Sequence, residues 1–230
     1  MSASVLQATG LRKTYVGGDG GLIEVLRGLD LSVETGEFVA VTGESGSGKS
    51  TLLHLLGALD QPTGGSVRLD GTDYQQLDAA GRAALRNGKM GFVFQFHHLL
   101  RDFSALENVA MPLLIGGVSP DAAQARAREL LHSVGLTHRL THLPAQLSGG
   151  EQQRTAVARA LVTSPLLVLA DEPSGNLDEG NASQLHGLFA SLAREFQTAV
   201  VVVTHNRALA GLADRVLSLS EGVLAEMVPR

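Results

Sequence analysis

Apolar positions in the first third of the chain come in short runs broken by Gly and Asp, at residues 5–11, 29–33, 38–42 and 67–69, the last followed by Asp70-Gly71. This spacing predicts strands joined by tight turns. Helical spacing then takes over: residues 51–56 form one such run, and from Asp78 to Asn87-Gly88 Ala, Leu and Arg recur with a helical period. Ser119-Pro120-Asp121 opens a further helix, with Ser119 as N-cap and Gly135 just past its end. Residues 166–170 and 199–204 are continuously apolar, as strands buried on both faces are. Phe92, Phe94 and Phe96 alternate, which predicts three rings on one strand face around Gln95. The whole reads as an α/β core contributed by both ends of the chain, with a helical insertion from about Phe96 to Arg154.

Composition supports that class. Gly is abundant and aromatics make up only 4% of the 230 residues, which suits helices packed on a parallel sheet rather than an aromatic-rich sandwich. Eighteen Lys and Arg stand against 23 Asp and Glu, a formal net charge of -5, and no basic run is long enough to track a nucleic-acid backbone, so no nucleic-acid partner is expected. The absence of Cys excludes disulfides, thiolate metal sites and a Cys nucleophile, and fits a reducing compartment, with the cytoplasm as default. Met1 to Gly10 lacks the pattern of a secretory leader, and no stretch reaches the roughly 18 apolar residues of a membrane span. Membrane association is therefore expected to run through another chain.

Three short motifs carry chemistry. Gly43-Glu44-Ser45-Gly46-Ser47-Gly48-Lys49-Ser50 follows one predicted strand and precedes the helical run that begins at Thr51, the context in which this spacing binds phosphate. Its glycines let successive backbone N–H groups face a β-phosphate, Lys49 reaches the β and γ oxygens, and Ser50 ligates Mg²⁺. Residues 166–170 deliver Asp171 and Glu172 at a strand tip; Asp171 suits the Mg²⁺ shell, and Glu172, pointing to the other side, suits orientation or deprotonation of an attacking water. Ser148-Gly149-Gly150-Glu151 pairs a capping box with two glycines that leave the first helical N–H groups uncovered, a second phosphate-binding helix terminus. Ala156, Val157, Ala160 and Leu161 put an apolar stripe on the helix it starts. The histidines other than His205, including His97, His98, His132, His138 and His142, form no convincing metal set.

Taken in order, the phosphate loop, Leu-Ser-Gly-Gly-Glu, Leu-Ala-Asp-Glu-Pro and Val-Thr-His resemble the nucleotide-binding domain of ABC transporters over essentially the whole chain. The resemblance implies a P-loop NTPase core with an antiparallel β subdomain (together about 1–95 and 155–230) and an inserted helical subdomain (about 96–154). It also implies a homodimer in which ATP on one phosphate loop is closed over by Ser148, Gly149 and Gly150 of the second copy. By the same resemblance Tyr15 stacks on adenine, Gln95 links Mg²⁺ and the attacking water to a membrane partner, Asp178 in Ser174-Gly175-Asn176-Leu177-Asp178 crosses the dimer interface, and His205 contacts the γ-phosphate.

The stretch from Gln95 to Gly116, with Thr51 to Gly57 and Pro173 to Asp178, resembles the branch of LolD-, MacB- and FtsE-like ATPases, and most closely its lipoprotein-releasing members. That implies ATP and Mg²⁺ as ligands and a place on the cytoplasmic face of the bacterial inner membrane. Two copies would sit under integral membrane subunits resembling LolC and LolE, which themselves handle the lipoprotein. A groove beside Phe96 to Phe103 would receive a short cytoplasmic helix from each of them. Efflux or cell-division ATPases of the branch are the near alternative, and a soluble ABC ATPase without membrane partner the distant one. Gln152, where many relatives have Arg, and Arg101, where many have Pro, depart from the pattern without removing a phosphate, metal or water-positioning group.

Overall fold

Two sheets frame the protein in the computed structural model, which describes residues 4–18 and 20–227; of the leader reading of Met1 to Gly10, residues 1–3 lie outside these. The first sheet is antiparallel and contains β1 (Ser4–Val16), β2 (Leu22–Glu34), β4 (Gly64–Leu69) and β5 (Thr72–Asp73) in the order β2-β1-β4-β5. The second runs β10-β9-β3-β8-β7-β6, with β3 (Phe38–Thr42), β6 (Met90–Phe94), β7 (Leu167–Asp171), β8 (Ala199–Val203) and β9 (Arg215–Ser220) parallel and β10 (Val223–Glu226) antiparallel at the edge.

The apolar runs explain the parallel sheet. In β7, Leu167 and Leu169 pack into one core with Val39, Val41, Leu52 and Val201, while Val168 and Ala170 pack into the other with Val200, Val202 and Val157. Every second residue thus enters a different core, so a strand covered on both faces needs no polar alternation. The β1–β2 ribbon is longer than its apolar runs indicate. Beyond Leu11 it continues through Arg12, Lys13 and Thr14 with register shifts, held by the cross-strand pair Arg12–Glu24 at 3.3 Å.

The helices are α1 (Lys49–Leu56), α2 (Ala79–Lys89), α3 (Ala105–Ile115), α4 (Pro120–Ser133), α5 (Gly149–Leu161), α6 (Glu179–Phe196) and the short α7 (Arg207–Ala210). Their starts follow local chemistry. Asp78 accepts from Gly81 N at 2.7 Å, Ser119 caps α4, and Ser104 with Glu107 forms a capping box at α3. Gly135 follows α4 at φ 75, the left-handed stop that its position past Ser133 suggests. Helices α3, α4 and α5 form the inserted layer through Val109, Ala127, Leu130, Leu131, Val157 and Leu161, and α5 runs unbroken through Arg154 into the central core.

The structure corrects one expectation. β6 ends at Phe94, whose ring stacks on Phe92 at a centroid distance of 6.0 Å, whereas Phe96 has left the strand and is 67% exposed. The neighbour β7 ends at Asp171, opposite Phe94, so beyond it no ladder is available to keep Phe96 in the pleat.

Candidate active site

Residues 43–48 join the C-terminal end of β3 to the N-terminus of α1. Gly48 is the N-cap of α1 at φ 100, and a Cβ there would meet Val25 Cγ1 at 2.9 Å and Leu26 Cδ2 at 3.1 Å, so both conformation and space demand glycine. Lys49 Nζ donates to the carbonyls of Gly43 and Glu44, at 2.8 and 2.7 Å, and so spans the loop. Ser47 Oγ is buried there and has no hydrogen-bond partner among the described residues. A cavity of about 560 Å³ opens beside this loop, lined by Ser45, Gly46, Gly48, Lys49, Ser50 and Thr51 and, across from them, by Gln95, Asp171 and Glu172. The helix terminus supplies positive potential where Lys49 supplies charge, the electrostatics a polyphosphate requires.

Asp171 ends β7, and the Ser50 hydroxyl hydrogen-bonds to its carboxylate. Burial pushes the Asp171 carboxyl above the ordinary aspartate range, and the Ser50 bond opposes that rise. The chain then turns sharply. Glu172 is left-handed at φ 43, its N–H donates to Val203 O at 2.9 Å, and its carboxylate points toward the end of β8. There it accepts from Thr204 Oγ1 at 3.0 Å and His205 N at 3.0 Å, while His205 Nδ1 lies 2.8 Å from Oε1. The two acids thus line one cavity with different partners, as their sequence order suggests.

Ser50, Asp171 and Gln95 offer hydroxyl, carboxylate and amide oxygens, a hard set that fits Mg²⁺ completed by phosphate and water oxygens. Among the described residues no group of three or more His, Cys, Asp or Glu could hold an ion without such outside ligands.

Gln95 exchanges hydrogen bonds with Asn176: its Nε2 donates to Asn176 Oδ1 at 3.1 Å, and Asn176 Nδ2 donates back to Gln95 O at 3.3 Å. His98, left-handed at φ 48, meets the Phe94 ring edge-on at 5.4 Å. Asp178 is the N-cap of α6, accepting from Asn181 N at 3.0 Å and Asn181 Nδ2 at 2.6 Å. Ser174, in the same loop, is buried against His186, with Oγ and Nε2 2.9 Å apart.

The capping box forms at the start of α5. Ser148 Oγ accepts from Glu151 N at 3.3 Å, and Glu151 Oε2 accepts from Ser148 N at 2.8 Å. Arg139 Nε donates to Glu151 Oε1 at 2.8 Å; the Ser148 N–H and the Arg139 guanidinium together hold the Glu151 carboxyl down at about 2. Arg139 thereby offsets a negative charge at the terminus expected to meet phosphate. Gln152, the departure from the usual Arg, donates to Pro144 O and Leu147 O and ties the preceding loop to α5.

Within one chain these groups do not all converge. Ser148, Gly149, Gly150 and Glu151 are not among the residues lining the cavity at the phosphate loop; nor are Tyr15, Asp178 and His205. Tyr15 is exposed, its hydroxyl donating to Asp60 Oδ2 at 3.0 Å, beyond the C-terminal end of α1. That is on the order of 12 Å along the helix from the phosphate loop. His205 lines the neighbouring cavity on the far side of Glu172, together with Ser174 and His186. Sequence reading missed the partners that hold the site: Thr204 on Glu172, Asn176 on Gln95 and Arg139 on Glu151.

The chain matches the ABC transporter family over residues 26–175. It is 54% identical over 223 residues, 96% of this chain and 97% of the relative, to the lipoprotein-releasing system ATP-binding protein LolD of Psychrobacter arcticus. A protein of the same name from Legionella pneumophila (strain Paris) is 52% identical over 224 residues, covering 97% and 98% of the two chains. Among solved structures, the post-hydrolysis dimer of the ATP-binding cassette MJ0796, bound to ADP and Pi, superposes with a TM-score of 0.89 at 39% identity, covering 98% of this chain and 99% of that one. A second dimeric structure of that bacterial ABC transporter cassette gives 0.88 at 38% identity.

Proposed function

This chain belongs to the ABC transporter family, and we propose that it is the ATP-hydrolysing subunit of a complex that drives release of outer-membrane-directed lipoproteins from the bacterial inner membrane. The observation that carries the catalytic part is the single cavity on which Lys49, Ser50, Gln95, Asp171 and Glu172 converge. The name shared by the close relatives is what favours lipoprotein release over efflux or cell division as the task.

In this reading the backbone of residues 45–50 and Lys49 hold the β and γ phosphates, and Tyr15 forms a platform for adenine beyond the far end of α1. Ser50 and Asp171, with Gln95, hold Mg²⁺, which when bound neutralises charge on the phosphate oxygens. Glu172, fixed by Thr204 and His205, orients the attacking water and takes its proton, and His205 contacts the γ-phosphate. The uncovered terminus at Ser148, Gly149 and Gly150 closes over ATP held by a second copy, with Asp178 at the interface. A two-fold pair then has two composite sites. The dimeric arrangement of the similar cassette supports this.

Among the described residues no helix is long and apolar enough to cross a membrane, so coupling would pass through partner chains. Those partners are integral membrane subunits resembling LolC and LolE, and this chain lies peripherally on the cytoplasmic face without touching lipoprotein itself. The groove beside Phe96 to Phe103, where Phe96 is exposed, receives a short helix from each. Reconstitution of the chain with such subunits in proteoliposomes, followed by assay of lipoprotein transfer to a soluble acceptor, tests this. ATP-dependent transfer is expected; transfer that proceeds equally without ATP, or ATP turnover indifferent to the membrane subunits, overturns it.

A further inference from the structure

Gln95 and His97 lie two residues apart in the loop after β6, yet they bind two different elements. Gln95 is bonded to Asn176 in the loop ahead of α6, and His97 Nε2 lies 3.0 Å from the carbonyl of Gly149 at the first turn of α5. The ring is tied down from behind. Arg159, in the last turn of α5, donates from its two terminal nitrogens to the carbonyls of His97 and His98, each at 2.8 Å. A ring nitrogen at this distance from a carbonyl acts as the donor, so the His97 proton sits on Nε2. The loop beside the phosphate cavity of this chain is therefore tied to both ends of α5, by Arg159 in its last turn and by the His97 ring at the glycine that opens it.

From this geometry we infer that His97 is a positioning residue that couples the two ATP sites of the dimer. The inference rests on the composite-site reading above. In that arrangement Gln95 attends the ATP of its own chain, whereas Gly149 attends the ATP of the other copy. His97 is the side chain that bonds one to the other. A shift of the loop on γ-phosphate binding or loss moves the Gly149 terminus through the His97 bond and the Arg159 clamp, so occupancy of one site alters the geometry offered to the second. By linkage the effect runs in both directions. Neither group makes the chemical step, so ATP binding to an isolated chain is indifferent to the bond.

The test is steady-state hydrolysis by the full-length chain over a range of ATP and protein concentrations. The variants are His97→Leu, which fills the space without a donor, and His97→Gln, whose amide N–H reaches as far as Nε2. Wild type should show a Hill coefficient approaching two, the number of sites. His97→Leu should bring it near one and lower kcat roughly five-fold, the low end of measured couplings, with ATP affinity of the isolated chain and melting temperature unchanged. His97→Gln should restore cooperativity. Wild-type cooperativity and kcat in His97→Leu overturn the coupling, and so does a His97→Gln variant as impaired as His97→Leu. The two readings fail separately: wild-type specific activity independent of protein concentration removes the composite site and the coupling together, while concentration-dependent activity with an indifferent His97→Leu removes the coupling alone.

Discussion

His205 Nδ1 lies 2.8 Å from Glu172 Oε1, and the backbone N–H of the same histidine donates to that carboxylate at 3.0 Å. With Thr204 Oγ1 on Oε2, three donors fix a side chain whose own backbone is in the left-handed region. A carboxylate held this way is preorganised to receive a proton from water rather than free to wander. Glu172→Gln removes the base but leaves the phosphate loop intact. It is expected to lower single-turnover phosphate release by about 10² to 10⁴, the usual worth of a general base, while retaining ATP and accumulating an ATP-bound dimer in size-exclusion chromatography. Unchanged turnover would take Glu172 out of the mechanism.

Gly48 and Gly46 share a positive φ, at 100 and 80, but not the same surroundings. A methyl at 46 would meet nothing within 4 Å, whereas one at 48 would strike Val25 and Leu26 of β2. Gly46→Ala should therefore cost about the 1–3 kcal/mol of a strained backbone alone. Gly48→Ala adds a steric clash at the N-cap of α1 and should melt several degrees lower still, with ATP binding lost by more than tenfold. Calorimetry and nucleotide titration on the pair check the order; equal effects would mean that the contact with β2 does not shape the loop.

What could be read along the chain was local. The capping box spans only Ser148 to Glu151, the phosphate loop eight residues, and the two-sided burial of β7 and β8 is written in uninterrupted apolar runs. Phe96 shows where such reading ends, because alternation continues in sequence after the neighbouring strand has stopped. The far half of the β1–β2 ribbon breaks the apolar run with Arg12, Lys13 and Thr14 and leaves Val16, Leu22 and Ile23 exposed, so no core-facing alternation marks it in the sequence. Arg139, Asn176 and Thr204 act across the fold: Thr204 is 32 residues from Glu172 and Asn176 81 from Gln95, distances over which no period carries information.

The Glu151 carboxyl gives the site an acid limit. Its pKa in the folded protein, about 2, lies below the ordinary 4.5, chiefly because it accepts from the Ser148 N–H and pairs with Arg139. A depressed carboxyl stabilises the fold fully above about pH 4.5, and that contribution is lost as pH falls toward about 2. Glu151→Gln keeps the shape without the charge. Urea midpoints measured against pH should therefore fall less steeply below about pH 4.5 in the variant than in wild type. Parallel slopes would show that the Glu151 carboxylate contributes nothing to acid stability.

Gly149 and Gly150 stand side by side at the start of α5, yet they are glycine for different reasons. A Cβ at Gly149, which is exposed, would find only Leu177 Cδ2 at 3.9 Å, so nothing in the folded chain forbids alanine there. A Cβ at buried Gly150 would run into the Asn181 side chain, which donates to Asp178, the N-cap of α6. Gly149→Ala should therefore leave the melting temperature unchanged or slightly raised, since alanine is the better helix former by about 1 kcal/mol. In a Glu172→Gln background it should still bind ATP as a monomer but form the ATP-bound dimer less readily, because the methyl covers N–H groups meant for the phosphate of the second copy. Gly150→Ala should lose stability as well, because Asn181 must leave Asp178 to make room. Melting curves separate the two variants, and dimer formation tests what they share. If Gly149→Ala dimerised with ATP as well as its parent, the terminus of α5 would not be the second half of the site.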